Sequence, residues 1–360
     1  MVNPSQRPHI PTPALVIDLD AMDFNLATMA RFFADRLAKL RPHFKTHKCP
    51  ILAQKQVELG AIGLTCAKLG EAEVLVRAGI PSILIANQVV DPVKITRLAE
   101  LALKSQIIVA VDNPDNVRMH SAAAQQAGSV INLVVEVNVG LNRCGVQPGE
   151  AVLSLARLIS QSPSLHFAGL LGYEGQTMFV TDPEQRRKNV HQAMSELVRT
   201  ADLLRQAGIA VDIVSAGGTG TYDLTGAYPG VTEVEAGSYL FMDAKYHKLG
   251  LPFRCALTLL ATVISVPVPG RAVIDAGMKS LTTENGLPEV VSPPGARLKA
   301  LNEEHGILEV DPQTHLQIGD SVELLPSHVC TTVNLHDQYY ALRNGQLEAV
   351  WPITARGKSQ

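Results

Sequence analysis

Residues 40–50 read LRPHFKTHKCP and crowd His43, Lys45, His47, Lys48 and Cys49 into one short stretch. A lysine at the end of a strand is well placed for a Schiff base with a carbonyl group. On an extended strand His43, Lys45 and His47 share a face, which makes either histidine a candidate second base or cofactor contact. Lys48 would point away and tolerate substitution. Further on, SAGGTGTYD (215–223) is a glycine-rich turn able to present backbone N–H groups to a phosphate. A third stretch, PSHVCTTVNLHD (326–337), alternates His328 and Cys330 about Val329. On an extended strand residues i and i+2 point the same way, so both side chains can reach one ion. Each feature also has an ordinary explanation, as a solvated lysine, a plain turn and a packed pair.

The elements that must position these groups follow a regular pattern. Short β-branched runs at 40–46, 62–67, 82–87, 106–111, 131–138, 167–173, 211–216 and 231–236 read as eight strands. Amphipathic segments separate them. The longest, 182–208, opens DPEQRR, with an aspartate to cap the helix and proline at its first position. Eight such units imply an α/β fold of the (β/α)₈ barrel type, expected over 25–249, with function at the C-terminal strand ends. Those ends carry Lys45, Lys68, Asn87, Asp112, Asn138 and Tyr173. A lysine and a phosphate-binding turn in one barrel mouth suggest a phosphorylated carbonyl cofactor such as pyridoxal phosphate. Beyond residue 250 the strand-like runs CALTLLATVISVP, RAVIDAG, SVELLP and QYYALRNGQLEAVWPI imply an all-β domain, with Asn-Gly as a hairpin signal. ALVIDLDAM does not fit the count of eight, so the segment 1–24 is assigned to that β domain (250–360).

The 360-residue chain is 46% hydrophobic with a net charge of −3, which gives no basic field for nucleic acid. It has no apolar run long enough for a membrane span. The N-terminus MVNPSQRPHIPTP has no apolar signal core, and the expectation is a soluble, cytoplasmic protein. Five scattered cysteines without a CxxC pair disfavour a disulfide framework, and all but Cys330 are expected to be buried.

RPHFKTHK (41–48), VNVGLNRCGV (137–146), SAGGTGTYD and PSHVCTTVNLHD together resemble the fold-type III pyridoxal-phosphate enzymes. These join an alanine racemase-like barrel to a C-terminal β domain, and the D-threonine aldolase and D-serine dehydratase branch looks closest. The resemblance implies pyridoxal 5'-phosphate in a Schiff base with Lys45, and Arg143 on the phenolic-oxygen side of the cofactor. It implies a phosphate cradle at Gly218, Thr219 and Gly220, completed by Gly237 with Ser238 or Tyr239. Tyr173 is a pocket candidate, and His47 a candidate catalytic base. His328 and Cys330 become ligands of a divalent metal (Mn, Mg or Zn). The implied activity is a lyase on D-β-hydroxy amino acids, either retro-aldol cleavage to glycine and an aldehyde or β-elimination to a keto acid and ammonia. The H-x-C pair suits zinc and resembles the dehydratases. TTVNLHD, GYEG and DAGMKSLTTENGLP (275–288) look more like the aldolases, whose pair is more often H-x-D with manganese or magnesium. The aldolase reading is preferred. A metal-free racemase leaves the H-x-C pair unexplained, and a non-catalytic pyridoxal-phosphate carrier leaves the β domain unexplained. The family's head-to-tail dimers imply a homodimer.

Overall fold

The structure, a computed structural model, describes residues 10–360; the reading of Met1–His9 as free of a signal core lies outside the described residues. The chain divides into two units. The first contains 29–45, 50–237 and 358–360, and the second the remaining described residues, among them 46–49 and 238–357.

Strand β1 (Ala14–Asp18) and helix α1 (Leu19–Phe33) open the described chain. The first unit then lays down eight parallel strands. They are β2 (Lys39–Leu40), β3 (Leu64–Cys66), β4 (Ser82–Ile85), β5 (Gln106–Val111), β6 (Ile131–Glu136), β7 (Leu165–Gly172), β8 (Ile213–Ala216) and β9 (Glu233–Val234). Their order is β2-β9-β8-β7-β6-β5-β4-β3. The ring closes where His43 bridges Thr65 and the Ile62 and Thr65 N–H groups donate to the Leu40 and Pro42 carbonyls. Between the strands run α2 (Pro50–Glu58), α3 (Leu69–Arg77), α4 (Pro92–Leu101), α5 (Pro114–Ala127), α6 (Glu150–Gln161), α7 (Pro183–Gln206) and the short α8 (Tyr222–Thr225). This is the (β/α)₈ barrel that the alternating pattern implies.

Local chemistry sets the helix starts. Asp91, Asn113 and Asp182 each accept a backbone N–H from the first turn of α4, α5 and α7, and each is followed by proline. The pyrrolidine ring presets the helical φ where no N–H is needed. Gly128 ends α5 at φ +67, a conformation that an L side chain rarely adopts.

Strand alternation builds the lumen. Leu84, Ile108, Ala110, Val134, Ala168 and Leu171 form one buried cluster. The same period of two carries Gln88, Asp112 and Glu136 above it at the C-terminal ends. At the other end Arg41 makes a bidentate pair with Glu233, at 2.7 and 2.9 Å, and donates to the Ser82 hydroxyl at 2.9 Å. Both charges are buried. Removing one partner strands the other in a low dielectric. Glu233→Ala should therefore lower the unfolding free energy by about 3–5 kcal/mol, read as an earlier urea midpoint. An unchanged midpoint would show that the pair adds nothing.

A second buried group makes the barrel acid-sensitive. His120 on α5 is fully buried, and neither ring nitrogen has a hydrogen-bond partner. Burial pushes its imidazole down to about 4, only partly offset by the nearby Val89 carbonyl, which accepts from the Asn116 amide. The unfolded chain takes up this proton near pH 6.5 while the folded one refuses it until about 4. Stability is thus fully present above that window and is lost as pH falls through it, by about 3 kcal/mol. His120→Leu should flatten the acid limb of a plot of Tm against pH. A limb of unchanged slope would assign the acid sensitivity to other groups.

In the second unit β10 (Leu257–Val268), β11 (Arg271–Ile274), β12 (Glu289–Ser292), β13 (Ala296–Leu301), β14 (Gly306–Val310), β15 (Ser321–Leu325), β16 (Gln338–Arg343) and β17 (Gln346–Pro352) join β1 in a nine-stranded, mostly antiparallel sheet. β1 runs antiparallel to β10 and parallel to β16. Asn344 and Gly345, at φ +50 and +76, turn β16 into β17 as the Asn-Gly signal requires. The short helices α9 (Ala244–His247) and α10 (Val329–Val333) complete the unit.

No helix among the described residues is long and apolar enough to cross a membrane. None of the five cysteines forms a disulfide. Only Cys49 and Cys66 are buried, whereas Cys144 and Cys255 are half-exposed like Cys330, which corrects the expectation of burial for those two.

Candidate functional site

The strand expected at 40–46 is cut short. β2 ends at Leu40, His43 makes a single bridge, and Phe44–Thr46 form a 3-10 turn. The Lys45 N–H closes back on His43 Nδ1 at 3.4 Å, so the local backbone curls instead of extending. The period-two argument that grouped His43, Lys45 and His47 therefore fails. His47 is fully buried; its ring accepts the Cys49 N–H and its carbonyl accepts the Tyr339 hydroxyl at 2.7 Å. Those contacts anchor a turn. Lys48 is buried at φ +52, with Nζ 3.5 Å from the Ala355 carbonyl, an environment that bears on its expected tolerance of substitution.

Lys45 remains half-buried at the barrel mouth, and its charge acts on a carboxyl that sequence reading missed. Glu235 follows β9, wholly buried, and accepts the Ser215 hydroxyl of β8 at 2.7 Å. Burial pushes it up to about 8, with the Ser215 hydrogen bond pulling down, Glu233 pushing up, and Lys45 and Arg41 pulling down. At neutral pH this carboxyl keeps its proton, within electrostatic reach of the Lys45 amine. The alternation Glu233-x-Glu235, both on the lumen face, was the signal available in the sequence.

The glycine turn after β8 is built by another missed residue. Glu174 is fully buried, takes the Gly217 N–H at 3.0 Å, and accepts the Thr221 and Thr225 hydroxyls at 2.7 and 2.6 Å. Gly217 sits at φ +79, and a Cβ on Gly220 would lie 2.2 Å from the Met178 carbonyl oxygen. Only glycine lets the turn pass that close. With Gly217 committed to Glu174 and the Gly218 N–H reaching Thr221 at 3.4 Å, the Gly220 N–H has no acceptor among the described residues. Thr219 is buried beside it. Such a turn at the start of α8 fits a bound phosphate.

Arg143 is exposed on the loop after β6, with its guanidinium 5.8 Å from the centre of the Tyr173 ring. Asp112 anchors that loop through the Gly145 N–H at 2.9 Å. Gln88 donates to Glu136 at 2.5 Å. Burial raises the Glu136 carboxyl, against the pull of Gln88 and Arg143. Tyr173, just past β7, is half-buried. Gly237 ends the first unit's long stretch, while Ser238 and Tyr239 open a buried 3-10 turn of the second, with Tyr239 packed 5.7 Å from the Phe253 ring.

His328 and Cys330 do meet, but not as alternating strand residues. His328 is the extended residue before α10, and Cys330 lies inside that helix. The His328 ring hydrogen-bonds both Asp243 and Cys330. Cys330 Sγ also reaches the Thr46 hydroxyl at 3.5 Å. Burial pushes the imidazole down, but the hydrogen bonds to Asp243 and Cys330, together with their charges, overcome it and raise it to about 10. An imidazole and a thiol in contact, both protonatable, are a donor set that suits a divalent ion displacing their protons. No group of three or more His, Cys, Asp and Glu side chains converges for a metal among the described residues, so the pair supplies two donors. His305 and Glu304 are exposed, with Glu304 paired to Lys279, and Asp275 accepts the Thr12 hydroxyl and the Thr262 N–H.

Residues 17–245 match the family model for the alanine racemase N-terminal domain, and 256–342 match that for a putative serine dehydratase domain. A D-threonine aldolase of Arthrobacter sp is 42% identical over 98% of this chain and 94% of its own. The solved D-threonine aldolase of Filomicrobium marinum superposes with a TM-score of 0.94 at 39% identity, covering 97% of this chain and 96% of that one. The D-threo-3-hydroxyaspartate dehydratase of Delftia sp. HT23 superposes with a TM-score of 0.89 at 30% identity, covering 95% and 97%. Variants of that dehydratase with a histidine and a cysteine two positions apart changed to alanine have also been solved, the cysteine variant in the metal-free form.

Proposed function

We propose, because this chain belongs to the alanine racemase N-terminal domain family, that it is a pyridoxal 5'-phosphate- and divalent-metal-dependent lyase acting on D-β-hydroxy amino acids. Its reaction is retro-aldol cleavage of the D-threonine aldolase type, giving glycine and an aldehyde. The observation that carries this reading is a half-buried lysine whose charge acts on a buried carboxyl, in the same barrel mouth as a glycine turn shaped by Glu174.

The cofactor, when bound, supplies an electron sink for charge developing at the substrate Cα. Lys45 is its covalent anchor. The turn Gly218-Thr219-Gly220, shaped by Glu174, takes the phosphate, and Gly237, Ser238 and Tyr239 are its expected completion. Arg143 and Tyr173, 5.8 Å apart, would contact the cofactor ring. With the cofactor bound, Lys45 Nζ would hold or return a proton at the substrate, and the Glu235 carboxyl, whose charge it feels, would hold another.

His328 and Cys330 would hold the ion, which would supply Lewis-acid chemistry. The matching two-position spacing in the dehydratase variants supports that assignment. Among zinc, manganese and magnesium, a thiol–imidazole pair favours zinc. A homodimer, as the family resemblance implies, and a cytoplasmic place, as the N-terminal sequence suggests, are part of the reading, and sedimentation checks the dimer.

Cys330 also favours a second reading, β-elimination to a keto acid and ammonia, because the Delftia relative is a dehydratase. D-threonine and D-serine incubated with the holoenzyme and each ion decide between them. Glycine plus acetaldehyde from D-threonine supports cleavage. Predominant 2-oxobutanoate and ammonia would overturn it in favour of elimination, and a racemised substrate with neither product would sink both lyase readings.

A further inference from the structure

We propose that Asp243 is the positioning residue of the ion site, holding His328 in the one tautomer and orientation that leave Nε2 for the ion. The inference rests on the assignment of His328 and Cys330 as metal ligands made above. Asp243 is fully buried, and its carboxylate is saturated by backbone. Oδ1 accepts the Lys245 and Tyr246 N–H groups at 3.1 and 2.9 Å, capping α9. Oδ2 accepts the Val329 N–H at 3.2 Å, which satisfies an orphan donor at the start of α10, and meets His328 Nδ1 at 3.0 Å. One side chain thus ties down the first turns of two helices 85 residues apart in the chain, and it cannot rotate without releasing both.

Its other three partners are all N–H donors, so Oδ2 acts as an acceptor and the proton on the shared line belongs to Nδ1. Nε2, the nitrogen not engaged by Asp243, is then the one whose proton the ion displaces. Cys330 is steadied in turn by the Thr46 hydroxyl at 3.5 Å. A two-donor site has little chelation to organise it, so its affinity depends on each donor being held before the ion arrives. Loss of such an orienting carboxylate typically weakens metal binding by about 10–100-fold.

The test titrates Zn²⁺ and Mn²⁺ into metal-stripped, cofactor-loaded wild type, Asp243→Asn and His328→Ala, with melting curves and the visible cofactor band recorded for each. Asp243→Asn keeps an oxygen for the α9 cap but offers an N–H where the histidine N–H must dock. It is expected to bind the ion about 10–100-fold more weakly with its band retained. Wild-type affinity in a folded Asp243→Asn overturns the positioning role. His328→Ala binding the ion like wild type instead overturns the ion site itself, a separately readable failure. Should Asp243→Asn not fold, ¹⁵N-histidine NMR of zinc-loaded wild type decides, with the His328 signals assigned by their absence in His328→Ala. A proton on Nδ1 with zinc on Nε2 supports the proposal, and zinc on Nδ1 ends it.

Discussion

Lys45→Ala is expected to purify without the visible band of a lysine-bound pyridoxal cofactor, near about 420 nm, and to lose turnover of D-threonine by on the order of 10⁴-fold or more. The size follows from the role: a covalent anchor and proton carrier act in every step, and neighbouring groups cannot replace a missing nucleophile. The same variant should unsettle its neighbour. Lys45 pulls the Glu235 carboxyl down against burial, so its removal leaves that group still more firmly protonated. Lys48→Ala is the control. Lys48 is a buried residue at φ +52 whose Nζ points to the Ala355 carbonyl, so its loss should lower Tm while leaving the band in place. A colourless Lys48→Ala with a fully coloured Lys45→Ala would reverse the assignment of the two lysines.

His328→Ala should keep the cofactor band and lose the ion, with turnover falling by about three orders of magnitude, the scale of a few kcal/mol of charge stabilisation at a reacting oxygen. The two phenotypes are therefore opposite in spectroscopy. Cys330→Asp tests the donor chemistry more finely. Exchanging thiol for carboxylate replaces a soft donor with a hard one, and should move the preferred ion from zinc toward manganese or magnesium. It should also preserve activity better than Cys330→Ala, which leaves a single donor. An ion preference untouched by Cys330→Asp would show that the sulfur is not a ligand.

Much of the scaffold was legible because it is written locally. Asp182 followed by proline starts α7 where the sequence places it, Asn344-Gly345 turns β16 into β17, and β-branched runs of period two become the barrel strands. These signals act within a few residues, where backbone sterics and a single side-chain hydrogen bond decide the outcome. The two motifs named for their chemistry take a backbone other than the extended one expected. Lys45 lies in a 3-10 turn drawn shut by His43, and Cys330 lies in a short helix whose first free N–H is taken by Asp243. Extended propensity in HFKTH and HVCTT was outweighed by hydrogen bonds that a period count does not contain.

By itself, then, the sequence determined the barrel followed by a β domain, the lysine, the glycine turn and the histidine–cysteine pair. Only the tertiary structure decided which buried carboxyl groups lie around them. Glu235 meets Ser215 across neighbouring strands, Glu174 shapes a turn 43 residues away, and Asp243 aims an imidazole 85 residues away. Each is a buried carboxylate whose partners are remote in the chain, and burial itself, which sets both its hydrogen bonds and its proton, exists only once the chain has folded.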